Sequence, residues 1–299
     1  MKTFLACVKR NTILFFKDKG LFFTSLITPL ILLVLYSTFL SNVYKDSYVM
    51  IFESQGLSIS KEILNGLAGG QLMSSLLAVS CVTVSFCSNM LMVQDKVTGA
   101  HKDMLITPLK RSTLGLSYYI STTISTLIIC LVALIACLVY VAIVGWYMTF
   151  IDVLLIFVDI LLLVTFGTAL SSVINYFLSS QGQISAVGSI VSSCYGFVCG
   201  AYMPLSQLGE GLRNVFMFLP GTYGTALIRN HAMGGAIKEL SKTASPEIIT
   251  ALKDTIDCNI YFFGESVDTS VMYVVVIASI VLLLGAYVLI NKFAKKSKK

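Results

Sequence analysis

The sequence predicts an all-α integral membrane protein with six transmembrane helices, and three observations support that class. Hydrophobic residues make up 56% of the 299 residues, charged residues only 12%, and the mean hydropathy is +0.86. A soluble domain carries about twice that share of charge. Several apolar runs are long enough to cross a bilayer, which takes about 20 helical residues. Basic residues also concentrate in alternate connecting segments, as the positive-inside rule predicts.

The N-terminal residues 1–20 predict an amphipathic helix that lies in the membrane interface rather than across it. Its two faces are an apolar one with Phe4, Leu5, Val8, Thr12, Phe15 and Phe16, and a basic one with Lys2, Lys9, Arg10 and Lys17. A basic face opposite a Phe-rich face is typical of interfacial helices. The alternative is a solvated tail beside the membrane. No cleaved signal peptide is expected, because no early apolar region precedes a small-residue cleavage site.

Six apolar stretches are the predicted spans. They lie at 21–43, 67–93, 114–145, 151–178, 183–203 and 270–290. Pro29 should kink the first, as lipid-embedded bundles tolerate, and Trp146 and Tyr147 should mark the outer interface. The polar stretch 44–65 is expected outside.

The long segment 204–269 is also expected outside the cell. It begins with a short amphipathic hairpin between Pro204 and Pro220, and the rest is mostly polar. Ser245-Pro246-Glu247 predicts a helix start within it, because it combines an N-cap residue, a proline in the first turn and an acid near the helix dipole. We expect that helix to run to about Asp257.

The charge distribution orients this topology. Fourteen of the 21 Lys and Arg residues, but only three of the 15 acids, fall in segments predicted to be inside. Both chain ends are therefore expected in the cytoplasm, and the protein in the cell (plasma) membrane as a multi-pass protein.

Small residues form two stripes at helical spacing. One comprises Ser74, Ala78, Cys81, Ser85 and Ser88, and the other Ser185, Ser189, Ser192, Gly196 and Gly200. Such stripes allow close helix packing or line a polar path.

Asp159 lies in the fourth predicted span, about 10 Å deeper than Asp152 at 1.5 Å per residue. A carboxylate there is costly and faces protein or water. It could serve a proton or a substrate, or be protonated or hydrogen-bonded for structure. The predicted spans offer no base as a partner, which favours the structural role.

Of the eight cysteines, only Cys258 is expected outside, as a free thiol or bridged to its copy in a dimer. The absence of a CxxC pair argues against a metal or redox site.

The polar island 94–111 separates two apolar runs and should lie in the cytoplasm. It holds Lys96, Lys102, Lys110 and Arg111 against Asp95 and Asp103, with His101 between them. Val93–Ile106 predicts a short helix with Gly99 as its weak point and Thr107–Pro108 as its stop. Such a helix is well placed to receive force from a soluble partner. The alternative is an ordinary connector.

This island resembles the first signature of the ABC type-two permeases, the membrane subunits of ATP-driven exporters. The matching positions are Asp95, Gly99, Asp103, Thr107, Pro108, Leu109 and Arg111; the family usually has Thr at Ala100, and Glu at Asp95 and Asp103. A second likeness, to the family's run after the fifth span, rests on Gly200, Pro204, Pro220, Tyr223 and Arg229. In order and spacing the two signatures, with the hydropathy, cover nearly the whole chain.

The resemblance implies a fold like that of subfamily G, with an N-terminal elbow helix and a cytoplasmic coupling helix. It implies export of a hydrophobic or amphipathic substrate, driven by ATP that a separate ATPase subunit hydrolyses. The expected ATPase-coupling residues are Asp95, Gly99, His101, Lys102, Asp103 and Pro108. A substrate route is implied between the second and fifth spans of two subunits, narrowed on its outer side. Its candidate residues are Ser85, Ser189, Ser192, Gly196, Phe197, Tyr202 and Met203.

The expected partners are an ABC ATPase, a second permease subunit in a homodimer or heterodimer, and membrane lipid, but no nucleic acid. The chain itself is expected to have no cofactor and no enzymatic activity, since ATP and Mg²⁺ would bind the ATPase and no G-x-x-x-x-G-K-[ST] loop occurs. The alternative function is a stand-alone channel or secondary transporter. A membrane enzyme is disfavoured, because neither H-E-x-x-H nor G-x-S-x-G occurs.

Overall fold

The structure is a computed structural model that describes residues 2–53 and 59–293. The α-helices of these residues are α1 Lys2–Lys17, α2 Lys19–Leu35, α3 Ser41–Glu53, α4 Lys61–Ser88, α5 Met90–Thr98, α6 Ala100–Ile106, α7 Arg111–Val144, α8 Phe150–Tyr176, α9 Gln181–Val198, α10 Glu210–Phe216, α11 Pro220–Leu240, α12 Pro246–Thr255 and α13 Thr269–Phe293. Apart from short turns, the other regular structure described is a two-stranded antiparallel hairpin, β1 Tyr261–Phe262 and β2 Glu265–Ser266. The predicted all-α class is confirmed.

Five helical stretches of the described chain are long and apolar enough to cross a membrane. They are Lys19–Glu53, Lys61–Thr98, Arg111–Val144, Phe150–Tyr176 and Thr269–Phe293. The fifth predicted span corresponds to α9, which has 18 residues but is less apolar, because glutamines, serines and glycines interrupt it. The sixth crossing therefore stays a prediction.

Helix α4 is the centre of the bundle. Every residue from Gly66 to Ser88 is buried, and the helix packs against α2, α7, α8 and α11. Its small residues make this possible: a Cβ at Gly70 would come within 2.8 Å of the Ala232 carbonyl oxygen on α11. The small-residue stripe of this span therefore serves close packing, which is the role such stripes have in membrane helix pairs.

The first membrane helix is longer than predicted. A π-helical turn, Tyr36–Leu40, joins α2 to α3, so that the helix continues to Glu53. The stretch 44–65, expected to be polar and outside, is helical up to that point, with Tyr44 stacked between Tyr36 and Tyr48 and Tyr48 buried. Its place outside the membrane stays a prediction. The remainder of the expected stretch includes residues 54–58, which lie outside the described residues.

The segment 204–269 is also less polar in its surroundings than predicted. Helix α10 lies within the expected hairpin, but α11, expected in a mostly polar outer stretch, is largely buried and packs against α4, α8 and α13. Glycines permit this contact: a Cβ at Gly235 would clash with the Tyr147 carbonyl oxygen. The helix predicted after Ser245 is observed as α12, with Pro246 in its first turn.

Cys258 is a free thiol buried at 2% exposure. Burial raises the pKa of this thiol to about 12. The thiol is therefore both protonated and enclosed, which argues against a disulfide with its copy in a second subunit.

Candidate functional site

Helix α6 is the most exposed part of the polar island. Gly99 ends α5 and precedes α6 with a left-handed backbone, φ +90°, a conformation that costs a residue with a Cβ roughly 1–2 kcal/mol. The predicted single helix Val93–Ile106 is thus two helices, and no residue of α6 is buried. Lys102, Asp103 and Pro108 are exposed, whereas His101 is half-buried.

An aliphatic side chain stands at the end of this helix. Ile106 is 84% exposed, beside the exposed Thr107 and Pro108. An exposed aliphatic side chain in this loop is available for contact with a partner protein. The sequence analysis identified the charges around Ile106 but not Ile106 itself. An isoleucine directly before the Thr107-Pro108 stop, in a polar segment, could have been recognised as a candidate contact residue.

Asp95 is buried, at 6% exposure, and does not face water as its expected role in ATPase contact requires. Arg10 of α1 donates to both carboxylate oxygens, at 3.1 Å for Nη2–Oδ1 and closer for Nη1–Oδ2, and the Tyr118 hydroxyl of α7 donates to Oδ2 at 2.6 Å. The Asp95 hydrogen bond raises the pKa of Arg10. Asp95 therefore joins α5 to α1 and α7. We call Arg10, Asp95 and Tyr118 the Asp95 triad.

The next residue, Lys96, joins α5 to α8. Its Nζ donates to the carbonyl oxygens of Asn175, Tyr176 and Leu178, at 3.0, 2.6 and 3.3 Å. These carbonyls lie at the C-terminus of α8, where the helix dipole favours a cation. Through Asp95 and Lys96 the short helix α5 is thus fixed to three other helices. Sequence reasoning missed Arg10 and Tyr118 as partners, because each lies far from Asp95 in the chain.

A groove of about 660 Å³ opens between α2, α9 and the junction of α4 with α5. Its lining comprises Asp18, Gly20, Leu21, Thr24, Ile27, Thr28, Cys87, Met90, Gln94, Gln181, Ser185, Gly188, Ser189, Ser192 and Ser193. Two predicted route residues, Ser189 and Ser192, are among them. Ser85 is not: it is buried within the bundle and donates to the Cys81 carbonyl oxygen at 2.7 Å. The groove therefore does not support its predicted place on the route.

The other predicted route residues lie together at the far end of α9. The ring of Phe197 meets that of Tyr202 edge-on, with centroids 5.2 Å apart, and Phe197 is 55% exposed. Tyr202 covers Gly196 so closely that a Cβ there would lie 2.3 Å from the ring. Met203 and Tyr202 also line a second, smaller cavity of about 170 Å³ beside α3.

Asp159 has two partners that sequence reasoning did not find. Its carboxylate lies 2.6 Å from Nδ1 of His231 on α11 and accepts from the Tyr273 hydroxyl of α13 at 2.8 Å. The expectation that no base is available is therefore wrong, because His231 was assigned to the outer polar segment. The contacts link three helices, and because a basic partner is present, the choice between a structural role and a proton role for Asp159 stays open to test.

Arg229, from the second signature, is also buried, at 1% exposure. Its guanidinium donates to the carbonyl oxygens of Ile256 at 2.9 Å and Gly200 at 2.8 Å, and lies 3.5 Å from the Asp257 carboxylate. It thereby ties α11 to the end of α9 and to the segment after α12. Gly200 supports the turn at the end of α9 with φ +72°.

Comparison with family models finds a match to the ABC-2 type transporter family over residues 2–231. The match extends from α1 through the groove and the polar island into α11. Comparison with curated proteins and with solved structures finds no match. Since the family model covers more than two thirds of the chain, this multi-pass membrane protein belongs to the ABC-2 type transporter family.

Proposed function

We propose that this chain is the permease subunit of an ABC exporter, which moves a hydrophobic or amphipathic substrate out of the cell with ATP hydrolysed by a separate ATPase subunit. The observation that carries the proposal is the pairing of an exposed α6 with a firmly anchored α5. A soluble partner bound to α6 pulls on α5, and α5 is attached to α1 and α7 through Asp95 and to α8 through Lys96.

The role of each coupling residue follows from its position. Ile106 is the apolar anchor for the ATPase, because its side chain is 84% exposed at the end of α6 and would be buried in the contact. Lys102 and Asp103 surround it and set partner choice, as rim charges do, while Pro108 fixes where the loop turns toward α7. Asp95 and His101 act within the chain. Burial lowers the pKa of His101, and nearby Lys96 adds to this effect, so that His101 is uncharged at cytoplasmic pH.

The substrate route in this proposal begins in the groove beside α9 and narrows at Phe197, Tyr202 and Met203. A second permease subunit covers the exposed faces of α2 and α9, where Phe23, Ile190 and Phe197 are each more than half exposed. Either a homodimer or a heterodimer satisfies this arrangement. ATP and Mg²⁺ bind the ATPase partner.

Replacement of Ile106 by Asp should remove the ATPase from the purified complex, because a charge would enter the apolar centre of the contact. We expect at least about a fivefold loss of affinity, as for a residue whose truncation costs more than about 1 kcal/mol. The measurement is co-purification of the ATPase subunit with the tagged permease. Asp103→Ala should have little effect, since a single rim charge contributes about 1 kcal/mol or less.

The matched control is Phe177→Asp. It also introduces an aspartate in place of an exposed large hydrophobic side chain, which is 66% exposed at the end of α8. It should leave co-purification unchanged. Retention of the ATPase by Ile106→Asp at the wild-type level would remove the main support for the proposal and favour a stand-alone transporter.

The orientation is tested by labelling single cysteines in a background without native cysteines. Cysteines at Ser60 and Lys242, both exposed, should react with a membrane-impermeant maleimide on intact cells. One at Lys102 should react only after permeabilisation, because the positive-inside rule places α6 in the cytoplasm. Reaction of the Lys102 position on intact cells would reverse the proposed direction of the whole chain.

A further inference from the structure

Seven polar side chains of the groove have no hydrogen-bond partner within the described part of the chain. They are Thr28, Gln94, Gln181, Ser185, Ser189, Ser192 and Ser193. Hydroxyl groups in membrane helices commonly donate back to a carbonyl one turn earlier, as Thr24 does in the same groove at 2.8 Å. The seven groups are instead free to bind whatever occupies the groove.

These free groups extend along the groove from the start of α9, where Gln181, Ser185, Ser189 and Ser193 are exposed. Ser192 and Ser193 lie 11 and 12 residues from the start of α9, which is about 17 Å at 1.5 Å per residue. At membrane depth, a polar group without a partner is costly and occurs where it faces protein or a water-filled cavity. The groove is therefore built for an occupant that forms hydrogen bonds.

The charge of the lining restricts that occupant further. Among the described residues, no Lys or Arg side chain lines the groove. The charged residue in that lining, Asp18, already accepts from the backbone N–H of Leu21 at 3.1 Å as the N-cap of α2. A phosphate or sulfate entering the groove would lose its hydration without gaining a cation, which is unfavourable. A quaternary ammonium group is also not favoured, because the Asp18 carboxylate already accepts a hydrogen bond from Leu21.

The opposite part of the lining is apolar. Leu21, Ile27 and Met90 face the groove, and its volume of about 660 Å³ lies within the range of about 300–1,000 Å³ usual for small-molecule sites. We infer that the groove binds amphiphiles whose polar part is uncharged and carries several hydrogen-bonding groups, such as a glycoside or polyol, joined to an apolar chain. This inference rests on the proposed function for its place in transport, although binding itself does not require the ATPase.

The test uses the full-length permease in lipid nanodiscs without the ATPase. A single cysteine replaces Ser189 in a background without native cysteines, and its rate of maleimide labelling is measured with three amphiphiles of equal chain length. These are decyl glucoside, decyl sulfate and decyltrimethylammonium. At a concentration twice its dissociation constant, the glucoside should slow labelling about threefold, and the two charged amphiphiles should have much smaller effects.

The matched control is a single cysteine at Ile135, which is 62% exposed on α7, outside the groove lining and outside the faces assigned to the second subunit. All three amphiphiles should affect its labelling equally. A second variant, Ser192→Lys, adds a cation to the groove and should shift protection of the Ser189→Cys position from the glucoside to the sulfate.

Three results would overturn the inference: no protection by the glucoside, equal protection by all three amphiphiles, or stronger protection by the sulfate without the added lysine. These outcomes differ from failure of the proposed function. If Ile106→Asp keeps the ATPase while the glucoside still protects the groove, the coupling proposal fails and the binding class stands. If Ile106→Asp loses the ATPase but the glucoside does not protect the groove, the binding class fails and the coupling proposal stands.

Discussion

Arg229→Met should give a permease that unfolds or aggregates far below the wild-type temperature. The substitution leaves Asp257 buried without its cation and removes the donor to the Ile256 and Gly200 carbonyl oxygens. Loss of one partner of a buried ion pair costs about 3–5 kcal/mol, which is a large part of a typical total stability of about 5–15 kcal/mol. The measurement is the midpoint of thermal aggregation, followed by size-exclusion chromatography of the detergent-solubilised protein.

The cost is concentrated in the carboxylate that is left behind. Burial raises the pKa of Asp257, while Arg229 and the backbone N–H groups of Leu205 and Ser206 oppose that shift. Arg229→Met combined with Asp257→Asn should therefore recover part of the lost stability. Arg213→Met, at a partly exposed arginine of the same outer segment, is the control and should change the midpoint little. An Arg229→Met protein as stable as the wild type would show that the pair has no structural role.

The second prediction concerns the Asp95 triad. Asp95→Arg places a second cation beside Arg10 at a position that is only 6% exposed. The substitution should lower substrate-stimulated ATPase activity about tenfold or more, as expected when the contact that positions α5 loses roughly 1–3 kcal/mol. The ATPase should still co-purify, because Ile106 is untouched. Tyr118→Phe removes one hydrogen bond to the same carboxylate and should have a smaller effect.

The control for this prediction is the exchanged pair. Arg10→Asp together with Asp95→Arg restores opposite charges across α1 and α5 and should recover a large part of the stimulation that Asp95→Arg loses. Failure of the exchange to recover any activity, with both proteins folded, would mean that the contact between α1 and α5 does not carry the movement.

Features that depend on residues close together in the chain were predicted from the sequence, whereas contacts between distant residues were not. The long apolar runs predicted α7, α8 and α13 to within a few residues of their ends, because hydropathy alone determines which segments enter a membrane. Asp95 was expected at the surface because charges usually lie there, and its partner Arg10 is 85 residues away. A reversal of Asp95 together with Asp103 therefore would not isolate ATPase contact, since it would also break the Asp95 triad.

Helix α11 shows the same limit at the level of a whole element. Its glycines, threonines and charged residues resemble a loop in hydropathy, and only the surrounding α4, α8 and α13 bury it. The groove was predicted in part. The serines of α9 were recognised from their spacing, but the contribution of α2 through Thr28 and Ile27 depends on how two distant helices meet.

The contacts of Asp159 also determine the order in which the protein is assembled during synthesis. His231 follows Asp159 by 72 residues and Tyr273 by 114, so that at about 5–20 residues per second the first partner emerges roughly 4–14 s later. Helix α8 must enter the membrane alone, with an acid whose insertion costs about 2.5–3.5 kcal/mol at a helix centre. Its many Leu, Ile, Phe and Val residues offset this by about 0.3–0.6 kcal/mol each. The contact between α8 and α13 therefore forms last, and a nascent chain released after α11 but before α13 would hold the Asp159 carboxylate with His231 but without the Tyr273 hydroxyl.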